Sequence, residues 1–371
     1  MRVLLPIGSF YPSAIGGPSN TLYWHCKALH KHAIEVTVVT TNIGVTDRPF
    51  NKWLHLDCGK VKYCAAKLHY LPFGLIINSL KQLFKTDIVH LTSLFYPPSF
   101  LLALAGVIFR KHIVWSVRGE LLKNALEFSS LKKKSILWFI RWLPKKKITF
   151  HVTSTEEELA TRDVMGTAVS IVQQPNYIEL PLKISKNEFN YLLFMGRIHP
   201  IKGLENLIGA LSFSKLFNQS NYKLVIAGKG EQAYEEELKK LIQAKHLSDK
   251  VFFAGSVSGN QKQELYAGAL VTILPSFSEN FGNVVLESLC QGTPVIASTG
   301  TPWQVLNEKG AGLWVSNTEV GLAAAIDSIL GKPIEIYTEM REYAYELATQ
   351  NYNVDTNIDK WIAAYKKILI E

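Results

Sequence analysis

Short apolar, β-branched segments alternate with helical stretches along nearly the whole of this 371-residue chain. Five segments of the first half predict buried strands: Arg2 to Gly8, Glu35 to Thr41, Asp87 to Leu91, His112 to Ser116 and Ile148 to Thr153. The second half repeats the pattern: Tyr191 to Arg197, Tyr222 to Ala227, Lys250 to Ala254, Leu270 to Leu274 and Pro294 to Ala297. Amphipathic stretches such as Pro18 to His32 separate the strands. The alternation predicts an α/β protein with two doubly wound, Rossmann-like sheets that face each other across a cleft.

The two strand series predict two domains, residues 1–175 and residues 188–354. A chain of this length can give each domain its own core. Between Gln173 and Asn187, Pro175 and Pro181 interrupt the periodicity, so we expect the hinge there.

Two carboxylates flank a predicted helix start within residues 275–298, PSFSENFGNVVLESLCQGTPVIAS. Residues 276–282 are expected to form a loop, and residues 283–291 a helix that Gly292 ends. Free amides at such a start attract phosphate. Glu287 lies about 7 Å along the axis from Gly282, at about 1.5 Å per residue, so it can reach two ribose hydroxyls while Glu279 reaches sugar hydroxyls. Alternatively, Glu279 only complements the helix dipole.

Two cations follow the strand that begins the second series. Arg197 and Lys202 lie in the loop that joins YLLFMGRIH to the next helix. In a parallel sheet the carboxyl ends of strands open on one edge, so we expect both cations to face the helix start at Gly282. A planar guanidinium and a compact ammonium together can neutralise a departing diphosphate. Either residue alone is more often a surface charge.

With these motifs in place, the chain resembles the retaining glycosyltransferases of family 4, which have the GT-B fold. The most specific part is a pair of glutamates with seven residues between them, Glu279 and Glu287. The supporting motifs are Gly196-Arg197 with Lys202-Gly203, the turn Gly228-Lys229-Gly230-Glu231, and Gly16-Gly17 near the start. The resemblance runs nearly end to end and implies that the last helix, residues 355–371, packs back on the first domain.

The resemblance also implies roles for individual residues. Arg197 and Lys202 would hold the donor diphosphate, Glu287 the ribose, and Glu279 the transferred sugar. The catalytic set would therefore be Glu279, Arg197 and Lys202. The remaining donor-binding positions would be Gly16, Gly17, Arg118, Gly119, Gly228, Gly230, Asn280, Phe281, Gly282 and Asn283.

Three positions depart from the family pattern. Asn280 stands where many members have glycine, on the side of the sugar pocket. Arg118 stands where many have a histidine; it can bind phosphate or form an ion pair with Glu120. Asn176 lies where the family commonly shows Asn-Gly, which makes it a hinge candidate.

Charge predicts a further partner, because forty basic and thirty-one acidic residues give a net charge of +9. Between Lys132 and Lys147, two lysine triplets bracket an apolar segment that contains Trp138 and Trp142. Tryptophan suits the headgroup region, and clustered lysines are attracted to anionic lipid. We therefore expect this segment to contact an anionic membrane surface, although a core helix with solvated ends has the same pattern. The sequence has no recognised nucleic-acid-binding motif, so we expect no nucleic-acid partner.

The apolar runs and the cysteines limit the location and the metal sites that we expect for this protein. No apolar run reaches the roughly 18 residues of a spanning helix, and the first residues predict a strand and not a signal peptide. The cysteines Cys26, Cys58, Cys64 and Cys290 have no metal-ligand spacing. We expect a cytoplasmic protein, peripheral on the inner face of the membrane. We expect no metal, since Asp-x-Asp is absent, and no cofactor, since a nucleotide sugar is a substrate.

The sequence therefore predicts a hexosyltransferase that uses a nucleotide sugar, with UDP favoured and GDP possible. Its acceptor would be a glycan or a polyprenyl-linked or other lipid-linked glycan of surface polysaccharide or lipopolysaccharide biosynthesis. Base selection is expected to involve residues 254–259, and the acceptor site to be shaped by variable loops at residues 42–63 and 68–85. Two alternatives stay open: a nucleotide-sugar epimerase of the same fold, and a non-catalytic membrane-associated partner.

Overall fold

The computed structural model describes residues 1–13, 17–68, 70–127, 131–143, 145–186 and 189–370. These residues form two compact units, one of residues 1–179 and 354–371 and the other of residues 180–353. Each unit has its own β-sheet.

The first unit contains an eight-stranded sheet. Its strands are β1 (Arg2–Ile7), β2 (Glu35–Thr41), β3 (Trp53–Leu56), β4 (Gly59–Cys64), β5 (Ile88–Thr92), β6 (His112–Ser116), β7 (Ile148–Val152) and β8 (Ser170–Gln173). Its helices are α1 (Gly17–Lys31), α2 (Phe73–Leu83), α3 (Pro97–Ile108), α4 (Lys123–Glu127), α5 (Leu131–Trp142) and α6 (Thr155–Met165). The strand order is β3-β4-β2-β1-β5-β6-β7-β8, and every pair is parallel except β3 with β4.

The second unit contains a six-stranded parallel sheet. Its strands are β9 (Tyr191–Met195), β10 (Lys223–Ala227), β11 (Val251–Gly255), β12 (Ala269–Leu274), β13 (Val295–Ser298) and β14 (Gly312–Val315). Its helices are α7 (Leu204–Phe213), α8 (Lys215–Gln219), α9 (Gln232–Ala244), α10 (Gly259–Gly268), α11 (Asn283–Leu289), α12 (Val305–Glu308), α13 (Glu319–Leu330) and α14 (Ile334–Leu347). The order β11-β10-β9-β12-β13-β14 reverses its direction between β9 and β12, and such a switch point is where doubly wound sheets bind ligands.

The last helix, α15 (Val354–Ile370), belongs to the first unit. It packs against α1, and Trp361 and Tyr365 lie in the same buried cluster as residues of β1 and β2. A second buried cluster lies on the other face of this sheet, beneath α2 and α3. Both faces of the sheet are therefore covered, which is why its strands are almost continuously apolar.

The expectation of loops at residues 42–63 and 68–85 is wrong. The first segment holds β3 and most of β4, and the second holds α2. In β4 the buried Val61 and Tyr63 alternate with the half-buried Lys60 and Lys62. This alternation is the period-two pattern of a strand. It is easy to miss because β4 is short and contains two lysines.

Candidate active site

The loops that follow β9 and β12 meet beyond the switch point of the second sheet. The Phe277 amide donates to the Ile201 carbonyl oxygen at 2.9 Å. Gly203 has φ of +65°, and a side chain there would collide with the carbonyl oxygen of Pro275. Glycine at position 203 therefore allows both a left-handed turn and this close approach.

This approach brings Lys202 and Glu279 together. The Lys202 ammonium donates to Oε1 of Glu279 and forms an ion pair with it. The Ser276 hydroxyl donates to the same oxygen at 2.8 Å, and the Glu279 amide donates to the Gly300 carbonyl oxygen at 2.9 Å. Glu279 is thus a fixed, half-buried carboxylate at the edge of the sheet, not a freely solvated one.

Helix α11 begins a few residues after Glu279. Gly282 is the N-cap of α11, with φ of +80°, and Glu287 lies within this helix. The two oxygens of its carboxylate have different partners from α10: the Lys262 ammonium donates to Oε1 at 2.6 Å, and the Tyr266 hydroxyl donates to Oε2 at 2.9 Å. Burial, with Glu287 nearby, raises the pKa of Tyr266 well above its usual value, so this phenol remains a donor.

Each of the two carboxylates has a lysine as its counter-charge. Lys202 pairs with Glu279, but the cation at Glu287 is Lys262, which the sequence did not single out. Arg197 follows β9 and is exposed; no hydrogen bond or ion pair joins it to any residue that the structure describes. A spacing of four residues on one helix, Lys262 to Tyr266, is the signal that was available.

Other expected donor-binding residues have structural partners. The Gly228 amide donates to the Gly255 carbonyl oxygen at 2.7 Å, and the Gly230 amide donates to Oε1 of Glu235 at 2.7 Å. A side chain at either glycine would also collide with backbone oxygen, of Gly196 and of Ile198 respectively. Both glycines therefore allow the close approach of the segments that follow β9 and β10.

Phe281 is buried and packs edge-on against Trp303, whose indole donates to the Phe281 carbonyl oxygen. This packing fixes the loop just before α11. Asn280 and Asn283 flank it and are half-buried.

The first unit holds the remaining candidates. Gly16 lies outside the described residues, and Gly17 begins α1. Arg118 has φ of +58° and donates from Nη1 to Oδ1 of Asn176 at 3.1 Å. Its Nε is buried and has no hydrogen-bond partner among the described residues. Burial lowers the Arg118 pKa.

The alternative ion pair between Arg118 and Glu120 is not formed. Glu120 instead accepts from the Ser93 hydroxyl and from the amides of Leu94 and Phe95. The amide of Gly119 donates to the buried carboxylate of Glu157, so this amide, too, already has a partner.

Next to Arg118, three buried histidines form one hydrogen-bonded chain. The Tyr365 hydroxyl contacts Nε2 of His25 at 2.9 Å and Nδ1 of His90 at 2.6 Å. The Ser116 hydroxyl contacts Nε2 of His90 at 2.8 Å and Nδ1 of His151 at 2.7 Å. The chain ends where Nε2 of His151 meets the carbonyl oxygen of Gln174 at 2.9 Å.

That carbonyl can only accept, which assigns every proton in the chain. His151 donates from Nε2 and accepts from Ser116, Ser116 accepts from His90, His90 accepts from Tyr365, and Tyr365 accepts from His25. Burial lowers the pKa of His25 and of His151 to about 3, and that of His90 well below its usual value. The chain is complete only when His90 and His151 are neutral, because each accepts at Nδ1 and donates from Nε2. A cavity of about 20 Å³ between these residues and Arg118 has room for one water molecule.

Comparison with known proteins adds to this geometry. The family model described as glycosyl transferases group 1 matches residues 181–347. An uncharacterized glycosyltransferase, MJ1607 of Methanocaldococcus jannaschii, is 37% identical over 142 residues, which are 38% of this chain and 35% of the relative. The chain is thus aligned with about a third of that protein's length.

Two further likenesses extend over nearly the whole chain. Alpha-monoglucosyldiacylglycerol synthase of Streptococcus pneumoniae is 24% identical over 383 aligned positions, with 95% of this chain and 83% of the relative covered. The structure of HepE of Anabaena in complex with UDP and glucose superposes with a TM-score of 0.77 at 19% identity, over 99% of each chain. The expected fold class is confirmed, and the expected resemblance to glycosyltransferases is confirmed by the match of residues 181–347 to group 1.

Proposed function

Because the chain has the GT-B fold and its residues 181–347 match the family model of glycosyl transferases group 1, we propose that it transfers a hexose from a nucleotide sugar. The acceptor is a lipid-linked or glycan acceptor in surface polysaccharide or lipopolysaccharide biosynthesis. The observation that carries the proposal is the pair of positioned carboxylates at the switch point of the second sheet. Glu279 is held by Lys202 and Ser276, and Glu287 by Lys262 and Tyr266.

In this proposal Glu287 accepts hydrogen bonds from the ribose hydroxyls. Lys262 and Tyr266 each contact one of its oxygens, and each oxygen keeps a lone pair for a ribose hydroxyl. Glu279 accepts from hydroxyls of the transferred sugar. In the free protein the ammonium of Lys202 lies against Glu279, so bound diphosphate competes with this carboxylate for the ammonium.

Arg197 supplies the second positive charge toward the diphosphate. Its guanidinium is exposed and unpaired among the described residues, so it loses no protein contact on binding phosphate. Lys202 and Arg197 together would stabilise the charge that develops as the diphosphate departs. Arg118, whose buried Nε has no hydrogen-bond partner among the residues that the structure describes, is proposed as a further donor-binding residue.

Transfer is proposed to retain configuration at the sugar carbon. The bond from that carbon to the diphosphate oxygen breaks, and a bond to the acceptor hydroxyl oxygen forms on the same face. The hydroxyl proton goes to the departing diphosphate, so orientation and charge stabilisation replace a protein base. Since two cations neutralise the leaving group, we propose that the reaction needs no metal.

UDP is favoured as the donor nucleotide, because the similar structure of HepE is a complex with UDP and glucose; GDP remains possible. A lipid-linked acceptor is favoured because a relative similar over most of the chain is named for a glucosyldiacylglycerol product. The segment from Lys132 to Lys147 is proposed to contact an anionic membrane, and Trp138, Phe139 and Trp142 in it are exposed.

Thermal unfolding with UDP, GDP and their sugar conjugates tests the donor site. A ligand at one hundred times its dissociation constant stabilises by about 2.7 kcal/mol, so one nucleotide family should raise the unfolding temperature. Glu287→Ala should remove this increase, whereas Glu335→Ala, at an exposed position of the same unit, should keep it. The two variants are compared by their ligand-induced shifts, because Glu287→Ala also leaves Lys262 and Tyr266 without their partner.

The thermal shifts, together with analysis of the sugar products in the same mixtures, separate the alternatives. A donor nucleotide that binds but gives an epimerised sugar in the absence of acceptor identifies an epimerase. No shift with any nucleotide refutes the donor site and favours the non-catalytic partner.

A further inference from the structure

Three helices that are distant in sequence lie side by side on one face of the first sheet. α2 packs against α3. Just after the ends of these helices, the ring centroids of Phe84 and Phe109 are 4.7 Å apart. α3 meets α5 through Phe100 and Phe139, whose ring centroids are 6.1 Å apart. All three helices cover the same buried cluster. We call their outer surface the helical face.

The helical face exposes large apolar side chains where a soluble surface would be polar. Phe84 is 63% exposed, Ile108 65% and Trp142 73%. Trp138 and Phe139 are also more than half exposed, and the rings of Trp138 and Trp142 lie 5.4 Å apart. Contiguous exposed apolar surface of this kind marks an interaction site.

The charge on this face has one sign. No aspartate or glutamate occurs between Asp57 and Asp87, between Asp87 and Glu120, or between Glu127 and Glu156. The exposed cations on or next to the three helices are Lys81, Lys85, Arg110, Lys134, Arg141 and Lys146. The face therefore combines apolar and aromatic side chains with positive charge alone.

We infer that the helical face, with α2 and α3 as well as α5, is the surface on which this protein docks to an anionic lipid bilayer. The inference rests on the proposed function and extends its membrane contact from one lysine-rich segment to three helices. Exposed aromatic rings suit the headgroup boundary, and surrounding cations are attracted to anionic lipid. A second copy of the chain is a poorer occupant, because two such faces would bring like charges together. A protein docked this way would meet its acceptor at the membrane surface, which assigns a lipid-linked acceptor.

Vesicle co-sedimentation of the full chain tests this inference. The wild type should bind vesicles that contain phosphatidylglycerol and phosphatidylcholine. It should bind at least tenfold more weakly to vesicles of pure phosphatidylcholine, and at least tenfold more weakly to the mixed vesicles at high salt. The double substitution Phe84→Ser with Ile108→Ser leaves α5 intact and should weaken binding at least fivefold. The matched control, Phe213→Ser with Ile334→Ser, removes two similarly exposed side chains from the second unit and should bind like the wild type.

A second double variant, Trp138→Ser with Trp142→Ser, distinguishes membrane contact through α5 alone from contact through all three helices. If it loses vesicle binding while Phe84→Ser with Ile108→Ser does not, the contact is confined to α5 and the inference is overturned. If the wild type does not bind anionic vesicles, both membrane proposals fail. A dimer in solution that the Phe84 and Ile108 substitutions convert to a monomer would assign the face to a second copy and overturn the inference. Circular dichroism and an unchanged nucleotide-induced thermal shift establish that each variant is folded with an intact donor site.

Discussion

Acidification should open the first unit while leaving the second unit comparatively unaffected. His25, His90 and His151 form a hydrogen-bonded chain that requires neutral His90 and His151. The pKa values of all three histidines in the folded protein lie below the usual 6.5. Burial is the main cause for each histidine, and Arg118 lowers all three pKa values further. A lowered pKa means that the unfolded chain binds more protons, so this stabilisation is present above pH 6.5 and is lost as the pH falls below it.

The size of the effect follows from the same values. At pH 5.5, one unit below the unfolded pKa, each buried histidine costs about 1.4 kcal/mol of stability relative to neutral pH. Three such groups cost about 4 kcal/mol, a large part of the 5–15 kcal/mol that stabilises a typical domain.

Hydrogen exchange at pH 7.5 and 5.5, corrected for intrinsic exchange, measures this loss for each unit. Peptides from residues 354–370 report on the first unit, and peptides from residues 319–330 report on the second. His90→Gln should reduce the pH dependence by about a third, because a glutamine can still accept from Tyr365 and donate to Ser116 but does not titrate. His55→Gln, at an exposed position of β3, is the control. An opening free energy of the first unit that changes by less than about 1 kcal/mol between the two pH values would refute this account.

Four further outcomes are expected. Tyr266→Phe removes the hydroxyl from one oxygen of Glu287, and a hydrogen bond to a charged group contributes about 1.5–3 kcal/mol, so KM for the donor should rise by about tenfold or more with kcat changed less; an unchanged KM would contradict this. Gly203→Ala should destabilise the second unit by more than about 1 kcal/mol in urea unfolding, because its side chain meets the Pro275 carbonyl. Asp327→Ala should cost about 1–3 kcal/mol in the same assay, since this carboxylate accepts from the Ser214 hydroxyl and from the amides that begin α8. EDTA should leave turnover unchanged, and its abolition by EDTA would show that a metal is required.

Hydrophobic periodicity located the central strands of both sheets, because strands covered on both faces are continuously apolar. It did not find β3, β4, β8 or β14. These strands are short. In β4, which lies next to the edge strand β3, Lys60 and Lys62 occupy the less buried side. The segment from Phe73 to Leu83 was similarly missed as α2. Its exposed side carries the apolar side chains of Phe73 and Ile77.

The carboxylates of the candidate site were predictable, because Glu279 and Glu287 flank a helix start that glycine punctuates. The sequence also singled out Lys202, which pairs with Glu279, but not the counter-charge of Glu287. Lys262 reaches Glu287 from α10, which precedes β12. The four-residue spacing places Lys262 and Tyr266 on one side of α10, but which residue they meet depends on how α10 and α11 pack. The histidine chain was equally invisible, because His25, His90, His151 and Tyr365 come from four separate elements.

The return of α15 to the first unit has a consequence for synthesis of the protein. Trp361 and Tyr365 fill the core beside β1 and β2, yet they are translated after the entire second unit. Residues 180–353 are therefore contiguous and can fold as soon as they leave the ribosome, while the first unit must wait with part of its core uncovered. The first unit without α15 is the form of this protein most exposed to aggregation, and a chaperone that binds nascent chains would have the longest access to residues 1–179.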